Sequence, residues 1–422
     1  MGQVRIEGEV AQPFQAVRDL YERNMNNLIE RNTQLCVYVR GEKVVDLWGS
    51  ACDDAEFGPD SLVNIFSSGK SFEAIAMAWL ADQGHIDLNA RVVRYWPEFG
   101  AHDKDNCRVS DLMRHESGLA SFGVSMPPHS LLPENLKQNA AGQLIEQQQP
   151  RFRKQGRREY HAITRGWIAN EIFRRVDPAG RTIGEFLREE INAPLAVDVQ
   201  CGLATEDLDR RSPVVPVPVG QYVAEGLKPA IMGRKVDRHL FTTLRRLRPV
   251  FSNLRSRGRT RPPAPYEGMK AIADFNKDAI AQGETPSANT HSNARSLARV
   301  AAAMAGGGSL DSQTILSDKG WQILHGDPVT DRMTFLSTTF TQAGVARFER
   351  QRAISSALDE GLHKGREGFY GWMGLGGSIF QWHPEKQIGF GYVPTSLNVI
   401  DIVNERAKAY QAAVMECVDA TV

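Results

Sequence analysis

Apolar residues recur at three- and four-residue steps over 14–29 (Phe14, Val17, Leu20, Tyr21, Met25, Leu28), a spacing that predicts one buried helical face. The period then shortens. Residues 34–39 and 43–49 predict a hairpin turning at Arg40-Gly41-Glu42, and an apolar strand-like run over 63–66 hands over to a helix at 72–83. From about 95 to 286 the pattern is helical or irregular, with turn clusters at Met126-Pro127-Pro128 and 214–219. A helix running from Asn293 through Met304 ends at Gly306-Gly307-Gly308, and 376–382 and 387–393 alternate and pair around His383-Pro384-Glu385-Lys386. A helix over 398–417 closes the chain. Strands from both ends must share one sheet. The expected organisation is a discontinuous α/β sheet domain from 1–95 and 287–422, beside a mainly helical domain from 96–286, with the site at their junction.

Composition narrows the class of protein. With 422 residues and 41% hydrophobic content, the chain can bury a large core. Lys plus Arg total 50 and Asp plus Glu total 50, so no global field argues for nucleic acid. The five cysteines are dispersed, without metal-binding spacing, which is the pattern of a reducing compartment. The start has neither the basic nor the apolar region of a secretory signal, and no run reaches the roughly 18 apolar residues of a membrane span. A cytoplasmic location is expected.

Candidate chemistry begins with Ser67, three residues before Lys70 at the start of a helix. That spacing puts a hydroxyl and an amine on one face. A serine is a poor nucleophile until a base takes its proton, and a desolvated lysine can be neutral enough to do so. At a helix N-terminus the serine's own backbone N–H can donate to an oxyanion. Downstream come Ser110-Asp111-Leu112-Met113-Arg114-His115-Glu116-Ser117-Gly118-Leu119, then Glu159-Tyr160-His161-Ala162, then Tyr370-Gly371-Trp372-Met373-Gly374-Leu375-Gly376-Gly377-Ser378.

In order and spacing these motifs resemble the serine β-lactamase and penicillin-recognising superfamily. The resemblance is nearest the class C-like branch, which holds carboxylesterases, D-amino-acid amidases, acyltransferases and the mitochondrial β-lactamase-like protein. It spans about 14 to 415 and implies a β-lactamase/transpeptidase-like α/β (α+β) fold, an antiparallel sheet flanked by helices. It makes Ser67 the nucleophile, Lys70 its activating partner and Tyr160 the tyrosine of the second motif. The backbone N–H groups of Ser67 and Leu375 would form the oxyanion hole, and Trp372, Gly374 and His161 would contact substrate. No metal or organic cofactor is implied. His115 is expected to be a buried brace. Tyr160 would serve as acid or base only if a cation such as Lys70 lowered its pKa.

Two departures from the β-lactamase pattern narrow the substrate. Trp372-Met373-Gly374 stands where Lys-Thr-Gly or His-x-Gly would supply a cation for a carboxylate, and Ala162 stands where class C enzymes carry an asparagine. An indole favours uncharged groups. The expected activity is therefore a serine esterase or acyltransferase acting through a covalent acyl-enzyme on small uncharged acyl substrates. The alternatives are an amidase or peptidase and, in another class, an inactive scaffold of the same fold.

One stretch lies outside the resemblance. Residues 234–261 hold ten Lys or Arg against one acid, Asp237, while Leu240, Phe241, Leu244, Leu247, Phe251 and Leu254 recur at helical steps. Such a segment can make peripheral contact with an anionic membrane or an acidic partner. The favoured expectation is an insertion over the active-site mouth that packs its apolar stripe on the protein, with its helix interrupted at Pro249.

Overall fold

A computed structural model of the chain describes residues 4–152, 157–256, 262–349 and 356–421, with side chains outside 249–256. The central sheet is formed by β1 (Arg5–Val10), β2 (Asn32–Val39), β3 (Glu42–Ser50), β4 (Val329–Met333), β5 (Leu336–Phe340), β6 (Ala346–Arg347), β7 (Tyr370–Met373), β8 (Ile379–His383) and β9 (Ile388–Pro394). Its order is β1-β3-β2-β9-β8-β7-β6-β5-β4 and every pairing is antiparallel. The two ends of the chain meet where β9 pairs with β2, Phe390 opposite Val37. The helices that matter below are α1 (Gln15–Asn27), α2 (Lys70–Asp82), α3 (Thr164–Val176), α4 (Val219–Leu227), α5 (Leu240–Ser256), α6 (Ala294–Ala305) and α7 (Glu405–Ala420).

Alternation along β9 explains the layering. Ile388, Phe390 and Tyr392 share a buried cluster with Val17 and Tyr21 of α1 and with Tyr410 and Val414 of α7. The intervening Gly389 and Gly391 face alanine-rich α6, and a Cβ on Gly389 would lie 2.4 Å from the Ala302 backbone nitrogen. Small residues on both surfaces let helix and sheet approach closely. The second buried cluster runs without a break from Tyr38 and Phe380 of the sheet to Trp167 and Phe186 of the helical region. That region contains short strands as well. Val199–Cys201 pairs with Thr290–Ser292, which pairs with Val63–Asn64 immediately before the turn that carries Ser67.

Three boundaries differ from expectation. α2 begins at Lys70, and Ser67 sits in a preceding 3-10 turn, Phe66–Gly69. α7 begins at Glu405, leaving 398–404 as a loop, because the Asp401 carboxylate accepts the N–H groups of Glu405 (2.9 Å) and Arg406 (3.4 Å) and caps the helix there. α5 continues through Pro249, since an internal proline removes one donor and bends a helix without ending it. Nor is the apolar stripe of α5 fully packed, as Phe241 and Leu244 are exposed. The rest of the basic stretch, 257–261, lies outside the described residues.

Candidate active site

The chain turns sharply into Ser67. Phe66 has φ +47°, a left-handed conformation that is costly for an aromatic residue, and its N–H is held by the Asn64 side chain at 2.8 Å. The following 3-10 turn superposes residues three apart, so Lys70 lies directly over Ser67. Ser67 is partly open, whereas Ser68 is buried and shares a 3.0 Å hydrogen bond with Ser378. Ser378 in turn donates to the Ile65 carbonyl at 2.6 Å, which ties the third motif to the turn that carries Ser67. Gly374 completes that seam, since a Cβ there would lie 2.2 Å from the Ile65 oxygen.

Lys70 is buried, and its Nζ has three polar neighbours: Ser67 Oγ at 3.1 Å, the Ala162 carbonyl at 2.6 Å and the Ser287 carbonyl at 2.9 Å. A neutral amine has two N–H groups and one lone pair. Two carbonyls, which can only accept, take two N–H groups, and the remaining valence of Nζ faces Ser67 Oγ, to which an ammonium donates and from which a neutral amine can accept. Electrostatics favour the amine, because burial drives the Lys70 pKa well below the usual lysine value. Glu73 opposes that shift and Arg165 reinforces it. Those two form a fully buried ion pair at 2.7 Å, with Ser287 Oγ donating to Glu73 and Arg165 donating to the Lys70 carbonyl at 3.0 Å.

Tyr160 departs from expectation. Lys70 Nζ lies 5.0 Å from its ring centroid, yet burial raises the phenol's pKa, and its hydrogen bonds to Ser67 and Trp372 only partly offset this. Burial thus acts in opposite directions on the two pKa values, lowering that of Lys70 and raising that of Tyr160, and disfavours the charged form of both. Trp372 lines the cleft beside Tyr160. Its indole is almost wholly buried, its Nε1–H donates to Tyr160 Oη at 2.9 Å, and its backbone N–H is held by Ser71. With one lone pair of Tyr160 taken by the indole, the phenolic hydrogen remains free to be donated to another partner.

His161, expected to touch substrate, does not reach the cleft. It is fully buried, Nδ1 faces the Glu159 carbonyl at 2.6 Å, and Nε2 accepts from the Leu119 backbone at 3.1 Å. Both nitrogens are occupied, and burial lowers the imidazole pKa to about 3. The cause is local: the residue after Tyr160 turns inward to fasten the second motif onto Ser117-Gly118-Leu119. His115 sits behind it, buried, accepting the His161 N–H at 3.1 Å.

Ser67 and Tyr160 open onto a cleft of about 390 Å³. Ser67 and Leu375, whose backbone N–H groups are the expected oxyanion donors, both belong to its lining residues. Apolar walls come from Met333, Phe335, Leu336, Leu362, Leu375 and Val399, and no Lys or Arg lines the cleft among the described residues. The 333–336 turn, the 398–404 loop and the Ser287 carbonyl carry no motif in the sequence. Glu73 and Arg165 had a faint signal, being three residues after Lys70 and five after Tyr160.

This arrangement has relatives. The chain matches the Beta-lactamase family over residues 21–414. The chain belongs to that family. It is 31% identical over 384 residues to Esterase/beta-lactamase LipL of Mycobacterium tuberculosis, an alignment covering 86% of this chain and 76% of that protein. A solved family VIII carboxylesterase is 26% identical with a TM-score of 0.74, over 98% of this chain and all of that one. A penicillin-binding protein homologue from Caulobacter crescentus is 25% identical with the same TM-score, again over 98% and 100% of the two chains. This β-lactamase-family protein is a serine hydrolase with the β-lactamase/transpeptidase-like fold.

Proposed function

We propose that this hydrolase is a carboxylesterase that acylates Ser67 with uncharged, apolar acyl groups and passes them to water or to a small alcohol. The observation that carries the reading is the Lys70 amine, held by two carbonyl acceptors with its remaining valence toward Ser67 Oγ. Lys70 takes the hydroxyl proton as Oγ attacks the ester carbon. The oxyanion is received by the Ser67 and Leu375 N–H groups, each such donor contributing on the order of 3 kcal/mol. Collapse expels the alcohol, which takes a proton relayed from Lys70 through Tyr160. Water or an alcohol then attacks the acyl-enzyme, the same relay runs in reverse, and Ser67 regains its proton. An apolar cleft without a cation suits neutral esters and gives a carboxylate-bearing β-lactam or peptide nothing to bind. The names of the esterase relatives point the same way.

A fluorophosphonate probe and a panel of p-nitrophenyl esters test the proposal. One adduct on Ser67 is expected, with labelling lost in Ser67→Ala, and neutral esters should be cleaved far faster than penicillins. An adduct on any other serine, or efficient β-lactam turnover with none of esters, refutes it.

A further inference from the structure

Between Val219 and Leu244 six large apolar side chains stand in solvent. Ile231 is 93% exposed, Met232 and Phe241 are each 69% exposed, and Val219, Leu227 and Leu244 accompany them. They occupy α4, the 3-10 turn Ala230–Met232 and α5, which adjoin where Gly226 meets Leu240. Val219, Val223 and Leu227 repeat every four residues, so they share one face of α4. On α5, Phe241, Leu244, Arg245 and Arg248 likewise share a face. Arg245 and Arg248 are exposed and form no ion pair among the described residues. By contrast Arg238 and Arg246 both pair with Glu405, clamping α5 to the start of α7.

From this combination we infer that the α4–α5 surface docks the enzyme on an anionic lipid–water interface and draws its ester substrates from there. The inference rests on the esterase reading for its substrate, but the docking stands on the surface itself. Protruding single apolar side chains flanked by unpaired cations match an interface into which each can insert independently. A folded acidic partner would need a pocket for each of them. Arg245 and Arg248, exposed on that face, supply the charge complement for anionic headgroups. The surface also adjoins the cleft. Asn398, Asp401 and Ile402 line both the catalytic cleft and a small cavity beneath α5 bordered by Thr243, Arg246 and Leu247. A lipid held at α4–α5 is therefore one loop away from the acyl walls.

Vesicle co-sedimentation of the full chain carrying Ser67→Ala separates docking from turnover. Binding should be strong to phosphatidylcholine vesicles containing phosphatidylglycerol, weak to phosphatidylcholine alone, and reduced by salt. Arg245→Gln and Arg248→Gln should each lower partitioning about fivefold. Ile231→Ser with Phe241→Ser should lower it at least as much. In the Ser67 background all three variants should hydrolyse a water-soluble ester at the parental rate, because none of the four substituted residues lines the cleft. Equal binding to both vesicle types, or variants that bind as well as the parent, overturns the inference. So does capture by soluble polyglutamate that ignores the apolar substitutions, which would mark an acidic protein partner. Self-association abolished by the same substitutions without vesicle binding also overturns it. If docking holds while no ester is hydrolysed, the esterase reading fails and the interface survives.

Discussion

The two sides of the cleft are built by opposite rules. On the side of Ser67, the polar groups of Lys70, Glu73, Arg165, Tyr160 and Trp372 are interlocked by hydrogen bonds, and strands, helices and the Gly374–Ile65 contact hold the backbone. On the other side, Met333, Phe335, Leu336 and Val399 project from a hairpin turn and a loop and offer only apolar surface. Under the proposed mechanism, burial on the first side shifts the Lys70 and Tyr160 pKa values, while apolar area on the second selects the acyl group. Changes on the first side should therefore alter rate or folding for every substrate, and changes on the second should alter the ranking of substrates.

The largest expected effect on rate is from Lys70→Met, which removes the base and should lower turnover of every ester by about a thousandfold or more. The unchanged enzyme's pH profile sharpens the point. Lys70 acts only when neutral and burial lowers its pKa, so kcat/KM should rise with pH through a midpoint below the ordinary lysine value of 10.5. Tyr160 is pushed above 10, so the alkaline fall should begin only beyond that value. Both limbs belong to the coupled pair. A rise centred at or above 10.5 would show that Lys70 is charged at rest. For stability, Arg165→Met should cost about 3–5 kcal/mol, because it leaves Glu73 buried without its partner. Urea unfolding checks this, and a loss under 1 kcal/mol would mean that water reaches Glu73.

Tyr160→Phe should cost about a hundredfold and Trp372→Phe about five- to tenfold, roughly the value of one hydrogen bond. The two losses should not add in the double variant, because the indole acts through the phenol. Trp372→Phe should affect short and long acyl esters alike. A selective loss of long-chain substrates would return Trp372 to the acyl pocket.

What could be read from the sequence follows the same division. The hydroxyl–amine spacing at Ser67 and Lys70, the Tyr160 motif and the sheet closed by strands from both ends carry local signals, since a turn, a periodicity or a fixed offset defines each. Trp372 was legible as a cleft residue but not as a donor to Tyr160, because that bond joins positions 212 residues apart. His161 misled because motif adjacency says nothing of which way a side chain turns. The 398–404 loop reads as helix from the sequence because its apolar residues fit the period, and only the Asp401 cap shows where α7 starts. The acyl walls had no signal at all: apolar residues in a turn look like any other core until the cleft is assembled around them.

The smallest expected effects lie at those walls. Met333→Ala or Leu336→Ala removes two or three buried carbons from a cleft that a short acyl chain would not fill. Each methylene of contact contributes about 0.8 kcal/mol when fully desolvated. The turn is partly open, so the loss for a hexanoyl ester should be about 1 kcal/mol, a three- to tenfold fall in kcat/KM. For an acetyl ester, whose chain ends near Ser67, the change should be under twofold, and the pH profile and fluorophosphonate labelling should stay as they are. Parallel kinetics on acetyl, butanoyl and hexanoyl p-nitrophenyl esters resolve the ratio. If acetyl and hexanoyl esters lose activity equally, the 333–336 turn supports the catalytic side instead of the acyl chain, and the division between the two sides of the cleft fails.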